Sequence, residues 1–196
     1  MLDGIEIVSP VLQEDWQGKV SKLFAVMDRS FTLVSHESAG THVHVAPLGR
    51  SWTLAEIRQI SKGIVAWREP LSVLMERQRD RYATWNTWSY LSSVSNDVDA
   101  LSMNDLVQKI SPTRYHAWNL RPLEDVRGTI EFRRPYQTLS LEGAQHWVAT
   151  TLGLFAAFIR NGELDIPATD AETRKRIRKE VHKLDLGKLL QPRCFD

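Results

Sequence analysis

The chain has almost no cysteine: Cys194 is the single thiol in 196 residues. An internal disulfide is therefore impossible, and so is a cysteine-built zinc site. Excess charge of either sign is also missing. Lys and Arg number 25 against 24 Asp and Glu, a net charge of +1. That balance gives no electrostatic reason to expect nucleic acid or an anionic membrane as the main partner. Long apolar runs are missing too. The longest, residues 147–159, contains Thr150, Thr151 and Gly153 and falls short of the roughly 20 residues a bilayer span needs. A buried core helix is expected there. No phosphate-binding glycine loop, nucleophile elbow or His-Glu-x-x-His pattern occurs. There is no internal repeat and no low-complexity segment. One thiol, and a start that runs directly into a strand-like pattern without a leader, point to a reducing, cytoplasmic setting.

What is present reads as an ordinary globular protein. A composition 42% hydrophobic and 25% charged suits one sizeable core, and a chain of this length needs no staple. One domain over residues 1–196 is expected. Seven tryptophans are many for the length; they suit core packing, or a pocket built around Trp85, Trp88, Trp118 and Trp147.

Periodicity outlines the elements. Residues 4–8 read as a strand ended by Pro10. Residues 14–30 place Val20, Leu23, Phe24 and Met27 at helical spacing. Residues 31–35 are β-rich, and residues 41–46 alternate with period two. Thr53 and Glu56 form a capping-box pattern that starts a helix. A second helix is expected over 70–77, with Pro70 in its first turn. Residues 80–100 lack a clear period and read as a loop, with a lid over a site as its functional reading. Ser102 and Asp105 cap a short helix. Residues 117–120 and 128–133 look like paired strands. Ser140 caps a long apolar helix that stops at Asn161-Gly162. A charged helix over 171–184 should lie on the surface. Together these predict an α+β fold, an antiparallel sheet covered by helices on one side.

Five groups of residues could carry chemistry, and each has a plain structural reading beside it. His42 and His44 lie two apart on a strand and so project from one face; they could bind a metal or a phosphate, or simply pack. Glu131 and Arg133 share a face in the same way. A carboxylate there suits a hard cation, and an arginine suits a phosphate or a substrate carboxylate; the alternative is a salt bridge. Glu6, between Ile5 and Ile7, is a charge on an otherwise apolar strand, or a solvent-facing carboxylate. Arg77, Arg79, Arg81 and Tyr82, followed by Asn86, could clamp an anion or finish a solvated helix end. Asn119 and Arg121 could hold a substrate or serve the turn before Pro122.

Taken in order, these blocks resemble the amidoligase family and, more distantly, glutamine synthetase. The matching stretches are Gly4-Ile-Glu-Ile-Val-Ser-Pro10, Gly40-Thr-His-Val-His-Val45, residues 54–70, the Arg-rich Tyr82 segment, Asn119-Leu-Arg-Pro122 and Gly128-Thr-Ile-Glu-Phe-Arg133. They span about residues 4–160, leaving 168–196 as a charged helix and tail. The resemblance implies a glutamine-synthetase-like sheet holding ATP and Mg²⁺ or Mn²⁺. It implies a ligase that activates a small-molecule or peptide carboxylate as an acyl phosphate and passes it to an amine. On that pattern Glu6, His42 and Glu131 are metal ligands. His44, Arg133 and Arg121 are catalytic. Arg79, Arg81, Tyr82, Asn119 and Arg134 contact nucleotide or substrate.

The family pattern also has an earlier strand with a Gly-x-Glu-x-Glu element, which is missing here; of the family's acids, Glu6 and Glu131 are the two matched. Three explanations stand open. Another subunit of a homo-oligomer supplies the strand, the chain is a shortened form, or the pocket has turned to cofactor-free chemistry. In the last case His42, His44, Glu131 and Arg133 would act as acid–base and anion-holding groups of a cyclase, an isomerase or a binding protein.

Overall fold

The computed structural model describes residues 5–75, 77–87, 94–161 and 169–186. Cys194 and residues 88–93 of the expected 80–100 loop, Trp88 among them, lie outside the described residues. Within them the protein is α+β, with seven α-helices and one three-stranded antiparallel sheet.

Helix α1 (Trp16–Ser30) buries Trp16, Val20, Phe24 and Met27; the spacing predicts the last three, while Leu23 is partly buried and packs against them. That stripe packs on Leu141, Ala144 and Val148 of the long helix α6 (Leu141–Asn161). Helix α2 (Leu54–Ala66) opens on a complete capping box. The Thr53 hydroxyl accepts from the Glu56 amide at 3.2 Å, and the Glu56 carboxylate accepts from the Thr53 amide at 2.9 Å. Arg50 adds a bidentate pair to Glu56 at 2.6 and 2.8 Å. The bonds from Arg50 and Thr53 hold the Glu56 carboxyl at about 2. Helix α3 (Arg68–Leu74) begins two residues before the expected start. Pro70 still falls in its first turn, where a missing N–H costs nothing.

Helix α4 (Val94–Ala100) occupies the end of the stretch expected to be a loop, and a 3-10 helix (Arg77–Arg81) reaches into its start. Val98 is buried beside the α2 core, which explains a helix where the sequence shows little period. Helix α5 (Met103–Ile110) carries its capping box at Ser102 and Asp105. Helix α7 (Asp170–Lys183) starts from the Thr169 cap. It does not lie wholly on the surface as its charge suggests. Ile177 and Val181 are buried, and Val181 fills the space above Gly153 of α6.

Strands β1 (Val43–Val45), β2 (Trp118–Asn119) and β3 (Ile130–Phe132) form the sheet in the order β1-β3-β2. Val43, Phe132 and Trp118 lie in one row across it. That row faces the helices: Trp118 stacks on Phe132 at 4.1 Å and meets Phe155 and Phe158 of α6 edge-on. Period two sends the next row, His44, Glu131 and Asn119, to the other face.

Two expected strands are corrected. Residues 5–8 pair with no described strand, and Ile5 and Val8 are 68% and 80% exposed. Residues 31–35 are likewise unpaired. Apolar, β-branched sequence favours a strand only where a neighbour completes its hydrogen bonds and covers its side chains.

The α2–α6 contact depends on Gly63, where a Cβ would stand 2.4 Å from the Phe158 ring. Gly63→Ala should therefore lower stability by about 1–3 kcal/mol in urea unfolding, despite the better helix propensity of alanine. His146 of α6 is fully buried, and burial lowers its pKa from 6.5 to about 4. Its neutral form is the one the fold accommodates, so this contribution is complete above about pH 6.5 and lost as pH falls toward about 4. We expect about 3 kcal/mol of acid destabilisation across that window, flattened in His146→Gln.

Candidate active site

The second row of the sheet gathers the polar residues singled out in the sequence. Register places His44 opposite Glu131 on one side and Asn119 opposite it on the other. Glu131 is on the central strand, and its side chain is 5% exposed. A carboxylate can be buried there because both its oxygens are used. Oε2 accepts from Asn119 Nδ2 at 2.7 Å. Oε1 accepts from Arg133 Nη1 at 2.7 Å and faces His42 Nδ1 at 3.2 Å and His44 Nε2 at 3.5 Å. Burial pushes its pKa up, but the hydrogen bonds from His42, His44 and Asn119 and the charge of Arg133 outweigh it. The carboxyl is held well below the usual carboxylate range.

An ionised carboxylate only accepts, so it dictates which imidazole nitrogens carry hydrogen. The His42 nitrogen that meets Glu131 is Nδ1, which leaves Nε2 as the basic atom of the neutral ring. His44 donates from Nε2 and accepts at Nδ1 from the Thr129 hydroxyl at 2.9 Å. Both rings are anchored at the buried carboxylate and remain partly open, 27% and 36% exposed. The arrangement can take a proton at His42 and hold an anion beside Arg133, whose side chain is 17% exposed.

The strand that carries Asn119 is positioned from its outer edge. Asn86 accepts from the Trp118 amide at 2.9 Å and donates to the Trp118 carbonyl at 2.8 Å, as a neighbouring strand would. Ser111 donates to the same carbonyl at 2.7 Å and accepts from the Leu120 amide at 3.0 Å. Asn119 Oδ1 accepts from the Arg121 amide at 3.1 Å, so its side-chain amide is oriented from both ends. Ser111 and Thr129 escape a sequence reading. For Thr129 a signal was available, since it sits inside the Gly-Thr-Ile-Glu block.

The other expected site residues lie elsewhere. Arg121 reaches Pro112 and Gln108 at the end of α5, with Glu124 3.7 Å away. Arg134 points away from its neighbour Arg133. It pairs with Asp80 at 2.7 Å, bonds the Ala83 carbonyl and lies over Trp85. Arg79 is buried, donates to the carbonyls of Ser38, Ala39 and Arg133, and stands 5.5 Å over the Tyr82 ring. Arg81 is exposed. Glu6 is exposed in the unpaired 5–8 segment.

A set of Mg²⁺ or Mn²⁺ ions would ask for several oxygen ligands each. In this row the carboxylate is that of Glu131, and its Oε1 is already paired with Arg133. Among the described residues, no group of three or more His, Cys, Asp or Glu is arranged to hold a metal ion. The described residues do not fit such ions on their own.

Residues 2–155 match the family described as "Putative amidoligase enzyme". Neither the curated proteins nor the solved structures give a match to the chain. No described helix is long and apolar enough to cross a membrane.

The paired state of Glu131 can be followed directly. In a carboxyl-detected NMR titration its resonance should stay at the ionised position down to about pH 3, where an ordinary glutamate is already mostly protonated. The same titration in Asn119→Ala and Arg133→Met should move the midpoint upward.

Proposed function

The chain belongs to the amidoligase family, and from that premise we propose that the face centred on Glu131 joins a carboxylate to an amine at the expense of ATP. The observation that carries this reading is the convergence of His42, His44, Asn119 and Arg133 on one buried, ionised carboxylate. Amide formation from a free acid in water is unfavourable, so the carboxylate first takes the γ-phosphoryl group of ATP and ADP leaves. The amine nitrogen then attacks the acyl carbon, phosphate leaves, and the amine gives up a proton.

Each of those demands has a matching group on this face. Arg133 offers a guanidinium to the anionic acid and its phosphorylated form, where a planar fork is better than a point charge. His42 takes the proton of the attacking amine at Nε2, because Glu131 occupies its Nδ1. Glu131 orients both rings and stabilises the imidazolium that forms, a positioning role. His44, tied to Thr129, keeps the second imidazole beside the phosphoryl group. Any Mg²⁺ or Mn²⁺ would arrive with the phosphates of the nucleotide, since the described residues do not hold such an ion on their own.

A second reading is favoured by one feature: Arg133 already fills the place of a cation at Glu131 Oε1. On that reading the same groups perform acid–base chemistry on a small molecule without ATP or metal. The two are separated by calorimetric titration with ATP and Mg²⁺ or Mn²⁺. Ligation predicts binding tighter than about millimolar, lost in Glu131→Ala. A folded sample that gives no heat with either metal sinks the ATP reading. Turnover that persists in EDTA without nucleotide would establish the second.

A further inference from the structure

The sheet has two outer edges, and they differ. Beyond β2, Asn86 and Ser111 take up the backbone groups of Trp118 and Leu120. Beyond β1 no described residue does the same. Val43–Val45 pair with β3 on one side, and among the described residues nothing else hydrogen-bonds to their backbone. A strand edge of that kind is a template for a further strand.

The chain itself holds a segment of the matching kind. Residues 5–8, Ile-Glu-Ile-Val, have strand composition but pair with no described strand. Every residue from 5 to 11 is exposed. Ile5, Ile7, Val8 and Val11 are four of the fourteen exposed large hydrophobic side chains among the described residues. Single exposed apolar side chains are ordinary on a surface, but four within seven residues mark a contact region. The arm is tethered at Leu12, which packs on the α1 cluster. Seven residues reach about 23 Å when extended, enough to lie on a neighbouring molecule.

Alternation makes the two parts compatible. Val43 faces the helices with Phe132 and Trp118, and His44 faces the other way. A strand laid along β1 with Ile5 and Ile7 on the Val43 side turns Glu6 to the polar side, so no charge is driven into the core. Segment and edge belong to one chain, so two copies can exchange segments reciprocally. Each gives residues 5–8 and receives those of the other. The exchange closes a two-fold dimer and leaves no open end for further growth.

We propose that the outer edge of β1 is a self-association surface, where residues 5–8 of a second copy add a fourth strand. Main-chain hydrogen bonds supply the attraction, and Ile5 and Ile7 gain apolar cover.

Sedimentation velocity on the full chain from about 1 to about 200 µM tests this, with hydrogen exchange read by mass spectrometry at both ends of the range. The average mass should rise toward twice the 22.5 kDa of the chain. Residues 43–45 should exchange about fivefold more slowly, or slower still, at the high concentration. Ile7→Pro removes a backbone donor and breaks the strand geometry. Residue 7 is exposed and unpaired among the described residues, so this variant should stay folded, sediment as a monomer and lose the concentration dependence at 43–45. Ile7→Lys keeps the amide but not the apolar side chain, and should weaken association about tenfold. A chain that stays monomeric at the highest concentration, a dimer that survives Ile7→Pro, or a dimer in which 43–45 exchange no more slowly would overturn the proposal. Slow exchange at 43–45 in a monomer, lost in Ile7→Pro, would overturn it too, by assigning that edge to the chain's own segment.

Discussion

The buried negative charge of Glu131 is the constraint around which the face of the sheet is arranged. An ionised carboxylate taken out of water costs several kcal/mol unless it is paired and hydrogen-bonded. Here the central strand carries it, the two neighbouring strands bring His44 and Asn119 into register with it, and Arg133 meets it from two residues along the chain. Asn86 and Ser111 grip Trp118, and Thr129 turns His44. These contacts make sense as supports for one carboxylate. The charge in turn sets the hydrogen positions of both imidazoles, which is how a packing requirement becomes a chemical property.

The opposite face of the sheet has the complementary task. Val43, Phe132 and Trp118 are covered by α6, and the fully buried Trp118 binds sheet to helix through two aromatic contacts, with Phe155 and Phe158. α6 itself packs on α1, α2 and α7. Gly63 and Gly153 let α2 and α7 approach that layer closely, each facing a bulky side chain where a Cβ would intrude. Among the described residues the sheet is three strands wide, and this packed layer backs the site it carries.

Much of this was legible from residue order. Both capping boxes, the buried stripe of α1, the long apolar helix and the alternation around His42 and His44 are local signals, and they appear as read. The pairing of His-x-His with Glu-x-Arg was legible as well, because period two places each pair on one face whatever the rest of the fold does. Less legible were residues whose role depends on a distant partner. Arg79 reads as part of an anion clamp, and Arg134 enters through the resemblance as a nucleotide or substrate contact. They instead hold backbone carbonyls, with Arg134 also pairing Asp80, because buried guanidinium groups seek fixed acceptors. Residues 5–8 and 31–35 have strand composition but no strand beside them, and α4 forms where composition suggested a loop because Val98 finds the core.

By itself the sequence determined the element types wherever spacing or capping chemistry is local, and it determined which side chains share a face. Only the tertiary structure decided that the two histidines and the Glu131–Arg133 pair meet, that Asn119 completes the row, and that Arg133 occupies Oε1. Facing is a property of one strand. Meeting requires register between strands that are distant in the chain, and that register comes from the packing of Trp118 and Phe132 on α6.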